Sequence, residues 1–588
     1  MNIRKIFSAI CFVLFFLTIS FPATAEDFTN ALHAYLEQCV HAEIPGGCIV
    51  VGLVDARGSW IVSSGTLDNG TDQEADGNTI FPIDSMTGTF TYLVLQDMVT
   101  RGLMNPNDSA AKYLSPVVKM PTYNGKEITL LQLIRETSGL PDFSESLNPK
   151  RADNPLVDLT VEKMDAFVSS SQLTNDPGTR HYHGGVDKGL LAQAIELKAG
   201  TNFESLLIDR ICSPLKMDST RFTLTPKMKA RLAIEHNKSG YTKPIFERGA
   251  LQALGGLYST ANDLLNFVSA LDLTPANLAP LKQDWSIYFP FTSHDGTIVY
   301  TAGGWFGSRS LLCYNKTHHR GMVVLSTSTD FKREWGDFIL ASEWKSDKRP
   351  AATNISGELY DSYLGQYQLS SGKSGSGVET NSPDTIGIRR AGNRLFVQGM
   401  GPDSISIDEL LPPISVELLP QSKTRFFERL SSRLVNFSTG NRGEVTGLTI
   451  NSPGRLFSFK KISNLPPPAP EPVKPRVAIQ LAHPLLDAVV GDYEFPPSGQ
   501  RVTGMKVTIR WEGNQLAGQA FGQNVLKGVF DIYPESETNF FLTLDGSQMI
   551  FVKNGEGRVT SVIHRSSHAG VPDSEGKRTL EPGFAPPP

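Results

Sequence analysis

Two side chains in this sequence have the types and settings for acyl-transfer chemistry, Ser85 and His183. Ser85 stands in the run Asp84-Ser85-Met86-Thr87-Gly88, at the start of a stretch whose apolar spacing predicts a helix over 86–101. A serine hydroxyl is a weak nucleophile and needs a neighbouring base. An imidazole, with an unperturbed pKa of about 6.5, is such a base at neutral pH. His183 lies in the turn His183-Gly184-Gly185, just ahead of a second predicted helix over 186–199. With Asp187 or another carboxylate orienting the ring, an imidazole at 183 could take the proton of a serine hydroxyl. Each residue also has a plainer reading. Asp84 and Ser85 are types that cap helix starts well, and His183 reads equally as a loop histidine without a partner. Lys188 is five residues beyond His183 on the same helix, so it is expected to point elsewhere.

The elements that must hold these residues are a mixture of helices and strands. Phe28–Cys39 has helical apolar spacing, and further helical stretches lie near 129–136 and 261–271. Cys48–Leu53 and Trp60–Ser64 read as a hairpin around Asp55-Ala56-Arg57-Gly58, and strands near 308–315 and 321–327 flank a polar turn. Strands at both ends of a helix-rich middle predict an α+β domain on one mostly antiparallel sheet.

After Pro350 the texture changes to short alternating strands, and the Pro-rich run from Pro466 to Pro475 is a stiff linker. The segments on either side repeat each other. Leu359, Asp361, Gly365 and Tyr367 recur as Leu485, Asp487, Gly491 and Tyr493, and Ile388-Arg389…Gly392-Asn393…Leu395 recurs as Ile509-Arg510…Gly513-Asn514…Leu516. Phe426-Phe427…Phe437 likewise recurs as Phe540-Phe541…Phe551. Two copies of one all-β unit are expected, each closed as a small up-and-down, lipocalin-like barrel, a closure that removes exposed edges. A sandwich is the alternative.

Composition narrows the setting. Hydrophobic residues at 40% and charged residues at 20% suit a globular chain with true cores. Arg4 and Lys5 precede an apolar run from Ile6 to Phe21, and Ala23-Thr24-Ala25 forms a small-x-small cleavage site. That is a secretory signal peptide, an uncleaved anchor being the alternative, and it implies a periplasmic or secreted protein. Cleavage would move the formal charge from −5 to −7. No basic patch suggests nucleic acid or anionic lipid, and no later apolar run is long enough for a membrane span once the signal is removed. Cys39, Cys48, Cys212 and Cys313 then remain, in no metal spacing. They are expected as buried thiols, with a Cys39–Cys48 disulfide as the alternative, and no metal or organic cofactor is implied. The expected organisation is a signal at 1–25, a domain at 26–350, repeats at 351–464 and 477–588, and the linker at 465–476.

Six short motifs in order then give the first domain a family likeness. They are Ile44-Pro45-Gly46-Gly47, Thr79-Ile80-Phe81 through Phe90, Thr137-Ser138-Gly139-Leu140-Pro141, Pro177-Gly178-Thr179-Arg180, Pro214-Leu215 through Phe222, and Gly255-Gly256-Leu257-Tyr258-Ser259-Thr260-Ala261. Residues 40–330 resemble the serine hydrolases that include class C β-lactamases, penicillin-binding proteins, D-alanyl-D-alanine carboxypeptidases, D-aminopeptidases and related esterases. With two β units behind it, the whole chain looks most like the three-domain D-aminopeptidases. The resemblance implies a β-lactamase/transpeptidase-like fold with an antiparallel sheet and a helical subdomain. It also implies three catalytic motifs: Ser-x-x-Lys, Tyr-x-Asn and Lys/His-x-Gly.

Each motif is altered here. The first keeps Ser85 but has Gly88 at the lysine position. Gly88 reads either as decay or as room for a ligand or water where the lysine stem would lie. The second falls without gaps on His183-Gly184-Gly185, and a one-residue shift would restore Tyr182. The third falls on Thr301-Ala302-Gly303, with Gly307 four residues on. By the resemblance, the backbone N–H groups of Ser85 and Gly304 would form an oxyanion hole, and these do not depend on side-chain identity. Trp305 and Phe306 read as pocket wall or as core. Two functions follow. One is an impaired homologue binding a small peptide, D-amino-acid, ester or peptidoglycan ligand. The other is an active hydrolase using Ser85 with His183.

Overall fold

The computed structural model describes residues 25–579 except 44–46, 142–148, 182–184, 238–239, 241, 244, 274–290, 293–295, 306, 328–352, 354, 356, 372–384, 401–414, 429–432, 453–454, 469–475, 498–503, 523–527 and 567–572. Its first domain is built on a six-stranded sheet with the order β2-β1-β8-β7-β6-β5. The strands are β1 (Cys48–Asp55), β2 (Gly58–Gly65), β5 (Phe291–Thr292), β6 (Ile298–Trp305), β7 (Ser308–Asn315) and β8 (Arg320–Ser326). Every pairing is antiparallel. The β1–β2 hairpin closes between Asp55 and Gly58, where the sequence places its turn. A short pair, β3 (Phe81–Pro82) with β4 (Tyr258–Ser259), leads into the Ser85 turn.

Helices α1 (Ala25–Glu43), α2 (Thr87–Thr100), α3 (Leu130–Ile134), α5 (Val186–Ala199) and α6 (Ala261–Leu273) lie where apolar periodicity puts them, and α4 (Val161–Ser170) is a helix the sequence reading did not place. Helix α2 is apolar nearly all round and buries Phe90, Leu93, Val94, Leu95 and Met98, as a central helix must. Helix α6 packs across β1 and β8. Two glycines permit that approach. A Cβ on Gly52 would lie 2.9 Å from Leu265 Cδ1, and one on Gly321 only 2.0 Å from Val268 Cγ1. Phe267 of α6 meets Phe90 of α2 with ring centroids 5.4 Å apart, tying α6 to the helix that follows Ser85. Cys39, Cys48, Cys212 and Cys313 are all buried, and Cys39 and Cys48 are not joined in a disulfide. Burial raises Cys48 and Cys212 to about 12, so neither is a thiolate near neutrality.

Both repeats close as eight-stranded barrels, one from β9 (Gly365–Ser371) to β16 (Arg455–Ser463), the other from β17 (Gly491–Phe495) to β24 (Ser574–Arg578). The sequence repeat is a repeat of packing. Tyr367 Oη donates to the Tyr363 carbonyl at 2.6 Å, and Tyr493 Oη to the Val489 carbonyl at 2.8 Å, each four residues back. Phe426 and Phe437 meet edge to face at 5.4 Å, and Phe540 and Phe551 at 5.0 Å.

The chain divides into two compact units, and the second barrel belongs to the same one as the first domain. Chain segment 150–152 adds a short parallel rung to that barrel: Ala152 N–H donates to the Val529 carbonyl at 2.9 Å, and Val529 N–H to the Lys150 carbonyl at 3.2 Å. The Arg151 guanidinium forks onto Asp531 at 3.1 and 3.0 Å and also reaches Asp153.

The α6 contact yields a direct test. Gly321→Ala forces a methyl into Val268 and should lower the stability of the first domain by about 1–3 kcal/mol, the usual cost of overpacking. Urea denaturation followed by tryptophan fluorescence reads this. A wild-type midpoint would mean that β8 and α6 separate at no cost.

Candidate functional site

Ser85 follows a residue in an unusual conformation. Asp84 has φ 47°, in the left-handed region that costs a non-glycine residue energy. Its carboxylate supplies the compensation. Arg248 Nη2 lies 2.5 Å from Oδ1, Ser308 Oγ donates to Oδ2 at 2.7 Å, and all three residues are buried. A single 3₁₀ turn, Asp84–Met86, then hands the chain to α2 and leaves Ser85 half-buried at its mouth.

Strand β6 runs directly against this turn. A Cβ on Gly303 would lie 2.8 Å from the Ser85 nitrogen and 2.2 Å from the Ile83 carbonyl oxygen, so only glycine fits. Ser310 Oγ, on β7, donates to that same carbonyl at 2.8 Å. The backbones of Ser85 and Gly303–Gly304 are thereby brought together. Thr301, two residues earlier, is buried and accepts a hydrogen bond from Thr89 Oγ1 of α2 at 3.3 Å. That bond holds β6 to α2. Trp305 ends β6, and Phe306 lies outside the described residues.

Gly88, one helical turn beyond Ser85, is not beside an empty space. A Cβ there would lie 3.3 Å from Cε of Lys188. The expectation that Lys188 points elsewhere is thus overturned. Residue spacing along α5 fixes only the direction in which Lys188 leaves its own helix; the packing of α5 against α2 decides what it meets. Its ammonium is buried, donates to the Ile134 carbonyl at 2.7 Å and pairs with Glu136 at 3.2 Å. Glu136 is itself a buried non-glycine residue at φ 54°, and its other oxygen lies 3.3 Å from Nε2 of the exposed His181.

Asp187 does not serve as expected either. It is buried in the first turn of α5, and Ser138 Oγ donates to it at 2.6 Å. Burial pushes its carboxyl up to about 7, with Glu136 adding to the rise and Ser138 and Lys188 opposing it. Tyr182, His183 and Gly184 lie outside the described residues, so the imidazole base and its tyrosine alternative are not placed. Gly185 has φ 72° and caps α5, and a Cβ on it would meet Leu254 Cδ2 at 2.9 Å. Its role here is a turn.

A second charged group lies on the other side of Ser85. Glu235 and Lys243 pack against Gly307: a Cβ there would be 2.9 Å from Glu235 Cβ and 3.2 Å from Lys243 Cδ. Glu235 is pushed up to about 7, first by burial and then by the facing Asp84, against its hydrogen bond with Ser308. Burial lowers Lys243 to about 8. The second barrel reaches this spot, for Lys243 Nζ donates to the Leu544 carbonyl at 2.7 Å and Asn237 Nδ2 to the Thr543 carbonyl at 2.8 Å. Sequence reasoning missed Glu136, Arg248, Glu235 and Lys243. Glu136 had a signal, since it directly precedes Thr137-Ser138-Gly139; the others stand in no motif.

The family model described as Beta-lactamase matches residues 33–340. D-alanyl-D-alanine-carboxypeptidase/endopeptidase AmpH of Escherichia coli (strain K12) is 26% identical over 249 residues, covering 42% of this chain and 63% of that protein. A Beta-lactamase of the same organism is 25% identical over 278 residues, covering 47% of this chain and 67% of the enzyme. Among solved structures, the beta-lactamase/D-alanine carboxypeptidase from Yersinia pestis complexed with citrate aligns with a TM-score of 0.44 and 21% identity, over 52% of this chain and 94% of that one. The chain thus spans 63% of the length of the carboxypeptidase it matches.

The raised Asp187 carboxyl predicts a pH effect. Its folded pKa of about 7 exceeds the ordinary 3.8, so the folded state holds the extra proton between those values. Stability therefore falls as pH rises through that window, and the loss persists above it. Asp187→Asn should flatten this part of a Tm-against-pH curve. An unchanged curve would mean that Asp187 ionises normally in the fold.

Proposed function

From the premise that the chain belongs to the Beta-lactamase family, we propose that it binds acyl and cell-wall-peptide ligands at Ser85 and is acylated there, with turnover impaired relative to the family. The observation that carries this reading is the fit of Gly303 against the Ser85 nitrogen, where a Cβ would lie at 2.8 Å. That contact keeps two backbone strands side by side at the nucleophile. Backbone donors aimed at a developing oxyanion are among the strongest sources of rate enhancement in acyl transfer. In a serine protease stripped of its triad, such a hole and binding alone leave about 10³–10⁴-fold catalysis over water.

Impairment follows from what the motifs lack. Thr301 offers only a neutral hydroxyl, already bonded to Thr89, where the family has a lysine or histidine. The AmpH relative is named for D-alanyl-D-alanine substrates, which supports a D-amino-acid peptide, or an ester of similar shape, as the ligand class. The signal-like residues 1–25 support export to the periplasm or beyond, where peptidoglycan peptides are found. In this proposal residues 26–350 carry the acyl site and 351–464 and 477–588 are accessory barrels.

Incubation with a penicillin and with an activated ester, read by intact mass, tests the reading. Wild type should gain one acyl mass slowly, and Ser85→Ala should gain none. A folded wild type that stays unmodified at long exposure would leave Ser85 as a helix-start residue and end the acyl proposal.

A further inference from the structure

We propose that Lys188, projecting from α5, supplies the proton-transfer amine that the Ser85 helix lacks at Gly88. The inference rests on Ser85 being acylated and adds the group that activates it. Its ground is the 3.3 Å separation between Lys188 Cε and the Cβ position of residue 88. One further bond of about 1.5 Å leads to Nζ, which places the amine within about 5 Å of that position. A lysine at 88 would itself reach no more than about 6 Å, over four such bonds. Lys188 Nζ, carried on a neighbouring helix, therefore lies no farther from the Cβ position of residue 88 than the nitrogen of a lysine at 88 could.

Two features separate this from a merely structural ion pair. A buried Lys–Glu pair contributes little net stability, because desolvation offsets the attraction, and well-packed apolar residues commonly do as well. This pair is instead kept buried within reach of Gly88, one helical turn beyond Ser85. Glycine at 88 is also unfavourable in a helix by about 1 kcal/mol relative to alanine. The space it leaves is the space Lys188 occupies. Among the described residues, the charged and titratable groups facing the amine are Glu136 beyond α3, His181 beside Glu136, and Asp187 on α5 itself.

The chemistry balances with these groups alone. The Lys188 ammonium first yields a proton to Glu136, 3.2 Å away. The free amine then takes the Ser85 hydroxyl proton as Oγ bonds to the acyl carbon, and the carbonyl electron pair moves onto oxygen. When that intermediate collapses, the bond to the leaving nitrogen or oxygen breaks and the Lys188 ammonium returns the proton to it. Water repeats the sequence on the acyl-enzyme.

The test measures Ser85 acylation rates across pH by intact mass. Lys188→Gln should slow acylation about 100-fold or more, the typical worth of a general base, and should abolish the wild-type pH dependence. Added ethylamine should restore rate to Lys188→Ala in proportion to its concentration, because the free amine fits where the side chain was. Since removing one charge strands Glu136, the pair Lys188→Met with Glu136→Gln provides a folded comparison, and it too should acylate slowly. Acylation at the wild-type rate and pH dependence by either folded variant would overturn the inference while leaving Ser85 as the acyl site. Failure of amines to rescue a slow, folded Lys188→Ala would make Lys188 structural and overturn it as well. A wild type that never acylates would remove both readings.

Discussion

The site depends on holding one aspartate in a conformation it does not favour. Asp84 takes a left-handed backbone so that the chain can leave β3, make one 3₁₀ turn and enter α2 with Ser85 at the mouth. Burying its carboxylate without partners would cost far more than the turn could recover. Arg248 and Ser308 remove that cost from two separate directions, one from the loop before β4 and the other from the start of β7. The clamp thus ties the nucleophile turn to the sheet. It also brings Ser310 and Gly303 into register against Ile83 and Ser85. Loss of the clamp would release three elements at once.

Around this frame, backbone geometry and side-chain chemistry have parted company. Gly303, Gly139 and Gly178 keep positions or torsions that a larger residue would spoil. The ionisable groups of the family motifs are gone from 88 and 301, but the neighbourhood has not become apolar. Lys188, Glu136 and Asp187 line the α5 side of the turn, and Asp84, Arg248, Glu235 and Lys243 the sheet side. Buried charges are tolerated only when partnered: Lys188 pairs with Glu136 and Arg248 with Asp84, and Asp187 accepts from Ser138. The proposed transfer of the amine from α2 to α5 is one use of such a neighbourhood, with Gly88 as its steric condition.

The second barrel meets the first domain through backbone as well as charge. The rung at 150–152 and the Arg151 fork hold one edge, and the carbonyls of Thr543 and Leu544 hold Asn237 and Lys243. Because Lys243 also packs on Gly307, a barrel loop is one side chain removed from the third motif. The two barrels share their aromatic packing and tyrosine bonds, so the repeat explains their closure but not why the second one makes these contacts.

Periodicity and motif order determined a great deal about this protein. The antiparallel sheet, the nucleophile helix, the paired barrels and the family itself were legible because each is written in local spacing: alternation of two for strands, a repeat near four for helices, and fixed intervals between short motifs. Ser85 and the missing lysine at Gly88 were legible for the same reason. What α5 brings to Gly88 was not, since Lys188 and Gly88 are a hundred residues apart and meet only when two helices pack. The absence of a disulfide between Cys39 and Cys48, the use of Asp187 by Ser138, and the Asp84–Arg248–Ser308 clamp were likewise decided by tertiary structure. Spacing along the chain sets which face of an element a side chain occupies. Only the packing of that face against another element sets its partner, its burial and hence its charge.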